Sequence, residues 1–358
     1  MRMSNKQPPH PLGTPPQEGN KHQQDFGQVL QHIQQTRRQV FAQANTALMA
    51  LYWQIGHIIS QKVAQASWGK GVVTQLAQYI AQTDPSIKGF SDKNLWRMKQ
   101  FYETYQGDEK LSTLCRELPW THNTTIFSRC KSPEERRFYL EQCLQEKYTS
   151  RELERQIDAA SFERVSLSQP KLSAALRVLH PAVDEAFKDA YVLEFLGLPE
   201  VHSESDLKRA LIRHMKGFIL ELGKDFLFVS EEYRLQVGNQ DFYIDLLFYH
   251  RGLAALVAFE LKIGKFSPEH MGQLNFYLEA LDRDVKKPHE NPSIGVLLCR
   301  DKDDEVVEYA LSRNLSPTLI AQYQLQLPDK KLLQARLHEL LAGEWGLGGE
   351  DVSGETGR

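Results

Sequence analysis

The stretch FYIDLLFYHRGLAALVAFELKIGKF, residues 242–266, decides how this chain is read. It spells two apolar strands, 242–249 and 254–262, around a short turn at residues 250–252, and Asp245, Glu260 and Lys262 interrupt it. Charged side chains inside a buried sheet cost free energy unless they are paired or bind a metal. Side chains alternate faces along a strand, so Glu260 and Lys262 point to one side. Antiparallel pairing across the turn brings Asp245 beside them. Two carboxylates and an ammonium then share one end of an otherwise apolar sheet.

Two readings follow. One is a salt bridge at a strand end. The other is a site where a hard cation, Mg²⁺ or Mn²⁺, neutralises the carboxylates, since oxygen ligands select such ions. Mg²⁺ keeps several waters and leaves room for a phosphate oxygen. Lys262 would orient or help deprotonate an attacking water, or stabilise charge on the phosphate. The next helix favours the second reading, because GQLNFYL sets Gln273 and Tyr277 four apart on one face. Glu221, near the end of the preceding helix, is a further acidic candidate or else a surface residue.

Working outward, the pattern predicts an α/β unit over 181–342. A helix at 204–222 has Gly223 at its C′ position, and strand 225–236 and a Gly238-Asn239 turn lead into the quoted hairpin. Ser267-Pro268 opens a helix to about 281. Strand 294–299, helix 303–312, strand 321–327 and helix 330–342 follow, with a flexible Gly- and Glu-rich tail at 343–358.

The amino-terminal half differs. Residues 1–25 are rich in Pro, Gln and His and predict a disordered tail. Residues 26–160 read as a helical domain, with helices at 26–63, 72–83, 91–105, 132–146 and 149–159, and residues 161–180 read as a linker. Ser91 caps the third helix, and Leu95, Met98 and Tyr102 share its face. Lys88, Lys93, Arg97 and Lys99 cluster on or just before it. Helix, turn and basic helix are what a helix-turn-helix or winged-helix reader presents to DNA. The plainer alternative is a solvated charged face.

The 358 residues carry 43 Lys and Arg against 46 Asp and Glu, so composition alone does not announce a nucleic-acid binder. Residues 26–160 nevertheless carry a slight basic excess, while 161–358 are clearly acidic. Cys115, Cys130, Cys143 and Cys299 show no metal-ligand rhythm and read as reduced thiols. The amino terminus lacks the apolar core of a signal peptide, and no apolar run approaches the ~20 residues needed to span a bilayer. These features imply a cytoplasmic protein without membrane contact, and they leave homo-oligomerisation open.

The run IDLLFYHRGLAALVAFELKIGKFSPEHMGQLNFYL resembles the PD-(D/E)xK nuclease superfamily, specifically the YhcG-like family of bacterial nucleases. The resemblance makes Asp245 the motif Asp, Glu260 and Lys262 the Glu-x-Lys pair, and Gln273 and Tyr277 the Gln-xxx-Tyr element of the RecB-like branch. FILELGKDF resembles the family's helix-end segment and implies that Glu221 is the first-helix acid. PSIGVLLC and VVEYAL extend the match. LYWQIGHII, GFSDKNLWRMKQFY, ELPWTHN and SRELERQI resemble the family's helical amino-terminal domain, presumed to bind DNA. The match covers roughly residues 26–330, and Ile244 stands where the superfamily's name expects Pro.

The resemblance implies a restriction-endonuclease-like fold and Mg²⁺- or Mn²⁺-dependent hydrolysis of DNA. Asp245, Glu260 and the Leu261 carbonyl would hold the ion, and Lys88, Lys93, Arg97 and Lys99 would contact phosphates. The competing expectation is a nucleic-acid-binding or assembly protein that keeps the fold with little or no cleavage.

Overall fold

The structure, a computed structural model, describes residues 18–346 apart from Lys224. The expected tails therefore fall largely outside the described residues. The chain divides into two compact units, with the boundary between Lys131 and Ser132.

The first unit is helical: α1 (Glu18–Ala64), α2 (Lys70–Thr83), α3 (Asp92–Tyr105), α4 (Glu109–Glu117) and α5 (Trp120–Arg129). α1 starts eight residues ahead of the expected Phe26. Ser91 caps α3 by accepting from the Asn94 N–H, as the sequence predicts. Met49, Tyr52 and Ile59 of α1 pack on Leu95 and Met98 of α3. Gly56 permits that approach, because a Cβ there would lie 2.1 Å from the Met98 carbonyl oxygen. No strand occurs among the described residues of this unit, so the helical form of the expectation holds without a wing.

The second unit opens with α6 (Pro133–Glu146), α7 (Ser150–Asp158), α8 (Ser161–Leu167), β1 (Lys171–Leu172), α9 (Ala174–Leu179) and β2 (Ala190–Val192). The expected linker at 161–180 is thus ordered structure. β1 pairs antiparallel with the last strand, Leu172 facing Leu319, and Ser173 caps α9 while its hydroxyl donates to the Ser316 carbonyl. Two-residue strands carry no readable periodicity, which is why the segment looks like a connection in sequence.

There follow α10 (Glu204–Arg213), α11 (Met215–Leu222), β3 (Phe226–Val237), β4 (Gln240–His250), β5 (Ala255–Lys265), α12 (His270–Ala280), β6 (Ile294–Asp301), α13 (Asp304–Ser312), β7 (Thr318–Gln324) and α14 (Lys330–Gly346). The single helix expected at 204–222 is two, broken at His214 (φ −109°, ψ 28°). The apolar spacing runs on through the break and hides it.

The sheet order is β1-β7-β6-β5-β4-β3, with β2 also beside β7. β3, β4 and β5 form an antiparallel meander, and β5, β6 and β7 run parallel. Phe218 of α11 and Leu207 and Leu211 of α10 cover one face, against Leu246, Phe248, Val257, Phe259 and Leu298. Met271, Leu274 and Leu278 of α12 and Val307 of α13 cover the other, against Leu247, Ala258, Leu297 and Ile320. A central sheet apolar on both faces explains why β5 reads as a nearly continuous apolar run. No helix among the described residues is long and apolar enough to cross a membrane, and all four cysteines are buried and outside any disulfide.

Candidate active site

The β4–β5 ladder ends at Leu246 facing Phe259. One step further the register sets Asp245 opposite Glu260, and there the strands stop bonding through their backbones. Asp245 takes over, its Oδ2 accepting the Leu261 N–H at 3.0 Å. β3 is irregular at the same level. Its pairing runs from Glu231–Leu246 to Tyr233–Ile244 and skips Glu232, which has φ 45°. A left-handed non-glycine residue inside a strand is strained. Both neighbours of Asp245 thus depart from regular sheet, and its carboxylate reaches out of the ladder.

Beside it, Lys262 Nζ donates to Glu260 Oε1 at 2.8 Å. This is the ion pair the salt-bridge reading requires, but that reading does not account for the rest. The Glu260 side chain is only 3% exposed, and its Oε2 is buried without a hydrogen-bond partner. Burial raises the Glu260 pKa, the Lys262 hydrogen bond opposes this, and the Asp245 charge adds to the rise. Burial works against the charge of Lys262, but its bond to Glu260 and the carboxylates of Glu260, Glu204 and Asp245 outweigh it and hold the ammonium above its ordinary value. A carboxylate kept in a costly place with one oxygen unused is a ligand position more readily than a structural pair.

α12 lies over this sheet end. Gln273 Nε2 donates to the Tyr277 hydroxyl at 2.6 Å. Burial raises the Tyr277 pKa, Gln273 lowers it, and the charges of Glu260 and Asp245 raise it, so the hydroxyl sits within their field. Gln273 is exposed, whereas Tyr277 is buried and packs into the core beneath α12. The pair is therefore split, with one member toward solvent and one shared with the fold.

Glu221 is not part of this arrangement. Its carboxylate is fully buried and meets Arg155 at 3.1 Å, Arg164 at 3.5 Å and Lys188 at 3.5 Å, and accepts the Val192 N–H at 3.1 Å. Burial would raise its pKa, but Lys188, Arg164 and Arg155 prevail and hold it down at about 2. It ties α7 and α8 to the sheet unit.

The acid that α10 brings to the site is Glu204, 3.9 Å from Lys262 Nζ. One turn on, Lys208 stands 3.5 Å from Asp245 and 2.6 Å from Glu232. Sequence reading missed both, having taken the apolar side of that helix and ignored the polar i, i+4 pair at its start. His270, first residue of α12, is the other omission. Burial, then the Lys262 ammonium, lowers its pKa.

In the first unit, Lys88, Lys93 and Arg97 are exposed. Lys99 is not available in the same way. Its ammonium bonds Glu103 at 2.6 Å and lies 5.9 Å from the Trp96 ring centre.

Among the described residues, no three His, Cys, Asp or Glu side chains converge closely enough to cage an ion. Mg²⁺ is ordinarily held by one or two carboxylates plus water and substrate oxygens, so the free Glu260 Oε2 beside Asp245 fits that kind of site.

Residues 184–338 match the YhcG PDDEXK nuclease domain, and residues 28–164 match the DUF1016 N-terminal domain. Over 353 residues the chain is 33% identical to "Putative nuclease YhcG" of Escherichia coli K12, covering 88% of this chain and 93% of that protein. The chain belongs to the YhcG family.

Two solved structures also align: a repair endonuclease from Pyrococcus abyssi (16% identity, TM-score 0.25) and EndoMS in apo form (14%, TM-score 0.23). Each covers 36% of this chain, and the chain spans about half of each. Likenesses of that extent carry no argument. The family assignment rests on the sequence matches, which cover both the helical and the sheet-bearing parts, and the fold agrees with it. The chain thus carries a PDDEXK nuclease domain behind a helical amino-terminal region.

Proposed function

We propose that this YhcG-family protein is a cytoplasmic, Mg²⁺- or Mn²⁺-dependent deoxyribonuclease whose helical first unit docks DNA. The unused, buried Oε2 of Glu260, set beside Asp245 where β4 and β5 part, is the observation that carries this reading.

Asp245, Glu260 and the Leu261 carbonyl would hold the ion, which when bound supplies Lewis-acid activation of water and phosphate. Lys262 is held protonated by its carboxylate neighbours, so its Nζ donates hydrogen bonds. That suits orienting the water or neutralising charge on the phosphate better than abstracting a proton. Glu204 shares the Lys262 ammonium and keeps it aimed at the site, and Lys208 does the same for Asp245. Gln273 positions the Tyr277 hydroxyl, or contacts the backbone of the nucleic acid itself. In the first unit, Lys88, Lys93 and Arg97 would meet phosphates, which positions the duplex without reading sequence.

The test is a panel of linear, circular, single-stranded and branched DNA with Mg²⁺, Mn²⁺ or EDTA, run on wild type and on Glu260→Ala and Lys262→Ala. Metal-dependent cleavage that both substitutions abolish is expected. Binding without cleavage under every condition would leave a nucleic-acid-binding protein on a nuclease fold.

A further inference from the structure

α1 presents two apolar faces, and the first unit covers only one. Met49, Tyr52 and Ile59 are buried against α3. Roughly a third of a turn around the helix runs a second stripe, Leu30, Ile33, Val40, Leu51 and Ile58, whose members are between 42% and 56% exposed. With Ala44 and Ala47 it fills the a and d positions of about four heptads: 30, 37, 44, 51 and 58 at a, and 33, 40, 47 and 54 at d. Phe41 and Leu48 widen it, both exposed. Arg37 and Gln54 alone break the seam.

Every residue from 27 to 44 is exposed, so this part of α1 receives no support from its own unit. A helix of that length standing alone is marginal in water, and Gly27, Thr36 and the β-branched Ile33 and Val40 weaken it further. A cover is needed for it to persist.

We propose that a second copy of this chain covers the stripe, lying antiparallel as a two-stranded coiled coil. Three observations select this occupant and this direction. The flanking positions hold Gln34, Phe41, Leu48 and Ile55 on one side and Thr36, Gln43, Ala50 and His57 on the other, so no Asp, Glu, Lys or Arg there repels an identical chain or selects a foreign one. A parallel pair would set Arg37 against Arg37 in the seam. An antiparallel pair centred between Val40 and Ala44 instead sets Arg37 on the partner's Ala47, Ile33 on the partner's Leu51 and Val40 on the partner's Ala44, giving the one long cation a small neighbour. The stripe is also long enough. From Leu30 to Ile58 it runs about 43 Å, and with interdigitating side chains and the Phe41 and Leu48 flanks it approaches the ~800 Å² per partner of a stable interface.

The test uses the full chain in sedimentation velocity at micromolar concentration. A dimer is expected. Ile33→Lys and Leu51→Glu, both at exposed positions, should each weaken it by about a hundredfold or more, since each forces an unpaired charge into the seam. Mixing the two variants should restore a heterodimer, because the substituted positions then face one another. Wild-type near-ultraviolet circular dichroism from the packed Tyr52, Phe101 and Trp120 rings shows that both variants keep the fold of the first unit. A monomeric wild type overturns the proposal, as does a dimer that neither substitution weakens, which would lie on another surface. Monomeric variants that fail to pair on mixing overturn the antiparallel register.

Discussion

Replacing Glu221 with Gln separates a residue that holds the fold from one that serves chemistry. The carboxylate is fully buried among Arg155, Arg164 and Lys188. Its folded-state pKa of about 2 lies below its ordinary 4.5, a difference worth about 3 kcal/mol in favour of the folded state. Because the folded value is depressed, this contribution is complete above pH 4.5 and is lost as pH falls toward 2. Glu221→Gln removes the charge, leaves three partly buried cations with less compensation, and should cost about 3–5 kcal/mol at neutral pH. For a unit of this size that lowers Tm by about 6–20 °C. The acid limb of stability between pH 5 and 2 should flatten at the same time. Thermal denaturation by circular dichroism across pH 2–8 measures both. Cleavage per folded molecule, assayed well below the lower Tm, should be unchanged. A variant with wild-type Tm and no activity would refute this account and return Glu221 to the catalytic set.

Glu260→Gln should leave Tm unchanged or raise it while abolishing cleavage and weakening Mn²⁺ binding in calorimetry, since burial raises the Glu260 pKa and the charged form costs stability at neutral pH. Asp245→Ala should also lose Mn²⁺ binding, whereas Lys262→Ala should bind the ion and fail to cleave. Gln273→Ala, at an exposed position, should keep stability within about 1 kcal/mol yet slow initial cleavage by roughly tenfold. Tyr277→Phe should match that rate loss, while Tyr277→Ala should cost about 3–5 kcal/mol because the ring is core. Charge reversal of Lys93 and Arg97 together should weaken duplex binding in filter or fluorescence assays at low salt and flatten its salt dependence by about one to two counterions, while reversal at Lys99, already paired to Glu103, should do less.

The sheet and its charged end were legible in sequence because two periods agreed. β4 and β5 are apolar runs at strand spacing, and the interruptions at Asp245, Glu260 and Lys262 fall where the register brings them together. Gln273 and Tyr277 were legible from helical spacing. The edge of the unit was not. α8, β1, α9 and β2 are too short to show a period, and what fixes them is long-range: β1 and β2 on β7, and Arg155 and Arg164 on Glu221. The family matches, 28–164 and 184–338, divide the chain close to where the sequence does, at 160 and 181, whereas the compact units part earlier, between Lys131 and Ser132. α6, α7 and α8 look in sequence like a continuation of the helical half, whereas Lys330 of α14 bonds Glu135 of α6 at 2.8 Å and Gln334 bonds Glu163 of α8 at 2.9 Å. The sequence leaves Glu221 open, because an acid at the end of an amphipathic helix is equally compatible with a site and with a buried pair. Only the three cations around it, drawn from α7, α8 and the segment before β2, distinguish the two.

The exchange of Glu221 for Glu204 bears on how the site is built. Both acids belong to the same helical stretch, one near each end, and the break at His214 separates them. The buried acid of α11 is saturated with cations, so an added ion would have to displace guanidinium and ammonium groups already bonded to it. At the open end of the sheet the balance runs the other way. Asp245, Glu260, Glu204 and Glu232 bring four carboxylates to Lys262 and Lys208, and one buried oxygen stays unbonded. That local excess of negative charge, together with the left-handed Glu232 beside Asp245, destabilises the fold where it stands. A dication would relieve the repulsion and use the free oxygen, so it should bind and stabilise the folded second unit at the same place where it would serve hydrolysis.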